Sequence, residues 1–152
     1  MSKYAATIKW QRNNEDFLGN NYSRVHTWQF NGGTEIAASA SSHLVPLPWS
    51  CEENVDPEQA FVASLSSCHM LFYLSIASEQ GIQVESYTDQ AEGVMSKNPA
   101  GKMAISKITL RPRVTYSGSN IPEHKTEESM HHLAHDNCFI ANSVNSQIEI
   151  DI

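Results

Sequence analysis

Two kinds of side chain in this sequence invite covalent or metal chemistry: the thiols of Cys51, Cys68 and Cys138, and the imidazoles of seven histidines. A thiol reacts as its anion, and an unperturbed cysteine, with a pKa of about 8.5, is only a few per cent ionised at neutral pH. Cys68 lies in Ser66-Ser67-Cys68-His69-Met70, inside a long apolar stretch. It reads either as a small core residue or as a nucleophile. Mid-helix placement denies it the field of a helix N-terminus, so a reactive Cys68 requires a cation close by. Cys138, in Ala134-His135-Asp136-Asn137-Cys138-Phe139, carries the same two readings. Cys51 stands beside Glu52 and Glu53, whose charges work against a thiolate. His131, His135 and Cys138 follow one another at spacings of four and three, which places them on one helix face. That set suits zinc or iron, with Cys68 or a carboxylate as a fourth ligand; otherwise it is a solvated polar face.

The elements that position these residues can be read in outline. Asp56-Pro57-Glu58 predicts a helix start, with Asp56 as N-cap, Pro57 in the first position and Glu58 in the first turn. The helix runs to about Gln80, where Gly81 suits a left-handed stop. It is apolar on almost every side, which predicts an element at the centre of the fold. Glu58 precedes Cys68 by ten residues, about 15 Å along the axis, so the two cannot meet within one chain. Two such helices packed antiparallel across a dimer axis would bring them together.

Alternation predicts strands over 4–10, 25–30 and 35–41, the last two joined at Asn31-Gly32-Gly33. An irregular stretch over 43–54 is long enough to cover a site. Two further strands are expected over 83–95 and 103–116, a second helix over 123–137 and a closing strand over 147–152. The order βββ-α-ββ-α-β gives an α+β fold with sheets packed on a long central helix, a single domain over 1–152.

Ten Lys and Arg against seventeen Asp and Glu, a formal charge of −7, argue against nucleic acid and against an anionic membrane surface. The segment 59–78 lacks Asp, Glu, Lys and Arg, yet carries Gln59, His69 and five serines, so a soluble core helix is expected rather than a membrane span. Without an export signal, three cysteines read as cytosolic thiols.

Asp56-Pro57-Glu58-Gln59-Ala60-Phe61, then Ser66-Ser67-Cys68-His69-Met70, then Ala134-His135-Asp136-Asn137-Cys138 together resemble the OsmC/Ohr family of peroxide-reducing proteins, along nearly the whole chain. The resemblance implies an intertwined homodimer with β-sheets wrapped around two long central helices and active sites at the subunit interface. It implies Cys68 as the thiolate that attacks a hydroperoxide, and Cys138 as the thiol that resolves the sulfenic acid into a disulfide. Arg24, in Tyr22-Ser23-Arg24-Val25-His26, matches the arginine that holds the thiolate, and Glu58 the acid that orients it. The implied substrate is a hydroperoxide, organic ones and hydrogen peroxide both being candidates, and the expected reductant a dithiol, either a lipoyl protein or a thioredoxin-like one. No cofactor or metal is implied. Arg24 follows serine rather than glycine, and Phe139 stands where many relatives have proline. Phe61, Leu65, Met70, Leu71 and Phe72 suggest an apolar pocket around Cys68. A metal- or ligand-binding dimer using the His131, His135 and Cys138 face is the alternative.

Overall fold

A computed structural model describes all residues, Met1–Ile152, and divides the chain into two compact units, Met1–Ala60 and Phe61–Ile152. The first unit is built on an antiparallel sheet of β1 (Ala6–Lys9), β2 (His26–Phe30) and β3 (Glu35–Ala38). Gly33 makes the β2–β3 turn at φ +86°, a conformation that a side chain resists. The stretch after β3 returns to the sheet through Val55, which bonds Ala37 and Ser39. This unit has almost no apolar interior: Ala38 is its one fully buried hydrophobic residue, while Tyr4, Leu18 and Leu44 stand in solvent.

The first helix, α1 (Pro57–Glu79), starts as its sequence dictates. Asp56 Oδ1 accepts the Gln59 amide at 2.7 Å and Gln59 Oε1 accepts the Asp56 amide at 3.3 Å, a reciprocal capping box. Its end is equally local. Ile82 N–H bonds Ala77 O and Gly81 N–H bonds Ser78 O, with Gly81 at φ +68°, so the orphan carbonyls are met by a left-handed glycine turn.

The second unit wraps this helix with two sheets: β4 (Gln83–Asp89) with β7 (Pro112–Ser117), and β5 (Glu92–Lys97) with β6 (Met103–Leu110) and β8 (Gln147–Ile150). The segments expected as single strands over 83–95 and 103–116 are therefore each divided in two. Both breaks fall at one place. Asp89 Oδ1 takes the Arg111 amide at 2.6 Å, and Pro112, which has no N–H to give a ladder, lies opposite Asp89. From there the strands part into different sheets. β8 pairs in parallel with β6, a pairing no local signal announces.

Leu65 of α1 packs with Ile108 and Leu110 of β6. Tyr73, Ile76 and Ala77 pack with Ile82 and with Met130 and Ala134 of α2 (His124–Asn137). Fully burying residues of this size contributes roughly 1.5–3 kcal/mol each. Gly93 lets β5 lie close on α1: a Cβ there would sit 2.6 Å from Val62 Cγ2. Of the most apolar window of α1, which is long and apolar enough to cross a membrane, 28 % is buried in the chain alone. The all-round burial expected of this helix is thus not met by one chain.

Candidate active site

Cys68 sits midway along α1, half-buried, one position before His69, which points inward and is wholly buried. Cys138 is the C-cap of α2, with extended backbone; its N–H bonds His135 O at 3.2 Å. The Cys138 sulfur accepts the Ala141 amide at 3.4 Å, at the start of the single 3-10 turn Ala141–Ser143. Both thiols are free, and Cys68 lies close enough to Cys138 to perturb its ionisation. Burial, and then this neighbouring thiol, push the Cys138 pKa up to about 11. Its position at the negative end of a helix works in the same direction. Cys138 is thus a protonated thiol at neutral pH. The structure brings near each other two of the cysteines singled out from sequence, seventy residues apart, one from α1 and one from the end of α2.

Arg24 and Glu58 belong to the first unit and are not paired there. The Arg24 guanidinium lies over the Tyr22 ring, 3.6 Å from its centroid, and donates to Asn20 Oδ1 at 2.6 Å and to Tyr22 O. Its loop is braced by His26, whose Nδ1 bonds Arg24 O at 2.7 Å while Nε2 accepts the Trp28 indole N–H at 2.9 Å. That pattern assigns the neutral tautomer with its proton on Nδ1. Glu58 Oε2 is buried without a partner. A carboxylate oxygen in that condition lacks a donor that the chain by itself does not supply.

The metal alternative does not match the geometry. His131 turns into the core rather than toward His135, and no group of three or more His, Cys, Asp or Glu side chains is placed to hold a metal. Its Nδ1 instead meets His69 Nε2 at 3.0 Å, the two rings lying nearly parallel at 4°. The Tyr73 ring stacks on His131 at 4.1 Å. Burial lowers the His69 pKa to about 4 and that of His131 to about 3, so both are neutral imidazoles. Tyr73 hydroxyl bonds Tyr116 hydroxyl, which donates to Glu127 Oε1 at 2.7 Å. The spacing of Leu65, His69 and Tyr73 along one helix face marks His69 as inward, but nothing in the sequence pairs it with His131.

Cys51 donates to Glu53 Oε2 at 3.2 Å, in keeping with its poor standing as a nucleophile. Of the apolar residues expected around Cys68, Leu65 is core, and Phe61 and Phe72 pack against the core; Leu71 stays exposed.

The family model for OsmC-like proteins matches residues 51–152. Among solved structures, an OsmC-like protein of unknown function from Vibrio cholerae is 56 % identical, with a TM-score of 0.98 over 100 % of this chain and 99 % of that one. An organic hydroperoxide resistance protein OsmC from Legionella pneumophila is 17 % identical, with a TM-score of 0.67 over 99 % and 96 % of the two chains. The organic hydroperoxide resistance protein OhrB of Bacillus subtilis is 14 % identical, with a TM-score of 0.61 over 99 % and 98 %. These last two share the fold. No curated protein sequence matches.

Proposed function

We propose that this chain, which belongs to the OsmC-like family, is a two-cysteine peroxidase that reduces organic hydroperoxides. The observation that carries the reading is the proximity of two free thiols in unlike surroundings: Cys138 buried and protonated, Cys68 half-buried. In this cycle the Cys68 thiolate attacks the outer peroxide oxygen. The O–O bond breaks, the alcohol leaves after taking a proton, and Cys68 becomes a sulfenic acid. Attack by Cys138 then closes the disulfide before further oxidation of Cys68. Two relatives of the same fold are named for organic hydroperoxide resistance, which supports this substrate class.

Arg24 and Glu58 complete the site in this reading. A guanidinium beside Cys68 favours the thiolate and cannot itself lose its charge. A carboxylate fixes that guanidinium through paired hydrogen bonds, and the unpartnered Glu58 Oε2 is free to do so. Glu58 cannot reach Cys68 of its own helix, so it serves the Cys68 of a second copy. A homodimer also gives the core-poor first unit and the exposed faces of α1 something to bury against. The disulfide is reopened by a dithiol, a lipoyl protein or a thioredoxin-like one, in the reducing cytosol.

Steady-state reduction of cumene hydroperoxide with dihydrolipoamide as electron donor tests the proposal. Turnover that exceeds that with hydrogen peroxide and vanishes in Cys68→Ser is the expected result. Absence of turnover with any dithiol, thioredoxin included, would overturn it.

A further inference from the structure

The buried histidine pair demands a reason. Two imidazoles fill core positions where leucines would cost less, and His69 Nδ1 and His131 Nε2 are left there without partners. Their hydrogen bond is the one direct side-chain hydrogen bond joining α1 to α2. The other links are apolar packing, the Tyr73 stack on His131 and a relay from Tyr73 to Glu127 that runs through Tyr116 of β7; apolar contacts tolerate rotation and sliding far better than a direct hydrogen bond does.

Its place along both helices is specific. His69 is the residue after Cys68 on α1. His131 precedes Cys138 by seven residues, two turns, so His131, Ala134 and Cys138 share the buried face of α2. A bond between His69 and His131 therefore fixes the rotation of α1 beside Cys68 and that of the face leading to Cys138. Tyr73, one turn on from His69, stacks on the His131 ring and limits its tilt.

We propose that the His69–His131 hydrogen bond is a positioning device for disulfide closure, holding α1 and α2 in the register that keeps Cys138 within reach of Cys68. This rests on the peroxidase reading for its purpose, though not for its geometry. The step it serves is balanced without another reactant: the Cys138 sulfur bonds the Cys68 sulfur, the S–O bond of the sulfenic acid breaks, and the thiol proton leaves with the hydroxyl as water. Cys138 is oxidised and the sulfenic sulfur reduced. Disulfide geometry tolerates little error, with Cα atoms about 4.4–6.8 Å apart, so a turned helix stops closure while leaving Cys68 reactive.

The test uses diamide, which drives thiols to disulfide without peroxide, so its outcome is separate from that of the peroxidase reading. In His69→Leu/His131→Leu, where neither imidazole is left unpaired, closure of Cys68–Cys138 is expected to slow by at least about 10-fold, as a misplacement of about 1 Å can. Alkylation of Cys68 by iodoacetamide stays within about two-fold of the parent, because its immediate surroundings are kept. After peroxide the same variant accumulates Cys68 sulfinic acid. His131→Asn, whose amide falls where Nδ1 sits, restores closure; His131→Gln, whose amide falls nearer Nε2, does not. That Asn–Gln contrast decides the matter if the leucine variant fails to fold. Closure at the parent rate in a folded leucine variant, or in His131→Gln, overturns the proposal. So does a parent protein that never closes the bridge with diamide. If the parent closes with diamide and not with peroxide, the peroxidase reading falls and the positioning role is still judged on the diamide rates.

Discussion

The Cys138 thiol neighbours Cys68, and of the two it is the one sealed from solvent. The asymmetry divides the labour. In the proposed cycle an oxidant arriving from solvent meets Cys68 first, and Cys138, held protonated by burial, serves the later resolving step.

Cys68→Ser is expected to abolish peroxide consumption. Cys138→Ser should instead consume one equivalent and halt at the sulfenic acid, then be driven to sulfinic acid by excess peroxide. Intact mass after stepwise addition of cumene hydroperoxide reads this directly. Equal loss of reactivity in both variants contradicts the division.

Removing the Arg24 cation should weaken the thiolate. The rate of iodoacetamide alkylation of Cys68 in Arg24→Met is expected to fall about 10-fold at pH 7. Arg24→Lys should recover only part, because an ammonium lacks the fork that a carboxylate can hold. Glu58→Gln acts through Arg24 and should show a smaller loss in the same direction. An unchanged pH profile in Arg24→Met removes Arg24 from the site.

Stability should depend on the histidine pair below neutrality. His69 and His131 titrate at about 4 and about 3 in the folded chain, against 6.5 for a free imidazole, because burial opposes the cation. His135 near His69 and His132 near His131 push the same way, while Asp89 draws His69 partly back up. Unfolded imidazoles bind protons as pH falls through about 6.5, and folded ones do not until about 4. The stabilisation is therefore complete above pH 6.5 and is lost toward pH 4, by up to about 3 kcal/mol for each histidine. Urea midpoints at pH 7, 6 and 5 should fall in that order, and the slope should flatten in His69→Leu/His131→Leu. A slope that survives the double substitution contradicts this source.

The tyrosine chain is expected to support the fold and not the chemistry. Tyr116→Phe breaks both the Tyr73 and the Glu127 contacts and leaves a buried hydroxyl unpaired. A loss of about 1–3 kcal/mol in urea unfolding, with the rate of disulfide closure unchanged, is the outcome anticipated. A change in closure rate would tie the tyrosines to the site.

Much of this was legible in the residues because it is written locally. Asp56, Pro57 and Gln59 specify the start of α1, and Gly81 its end, through atoms only a few positions away. Helical spacing put Cys68 on the central helix, and the end of α2 fell at Cys138 as its pattern implied. What stayed hidden depends on pairs distant in sequence. The division of 83–95 and 103–116 rests on Asp89 holding Arg111, twenty-two residues away, and neither segment announces a break. His131 was singled out as a ligand because its spacing to His135 and Cys138 is visible; its true neighbour, His69, is sixty-two residues distant. Arg24 and Glu58 follow from the family motif, and within one chain Arg24 bonds Asn20 and Tyr22 while Glu58 Oε2 has no partner.

The most direct test of the central claim is one equivalent of cumene hydroperoxide added to the fully reduced protein, with the product mapped by peptide mass spectrometry without reduction. Rapid loss of two thiols and a single Cys68–Cys138 bridge is the expected result. Survival of both thiols, or oxidation confined to Cys51, would contradict the peroxidase account.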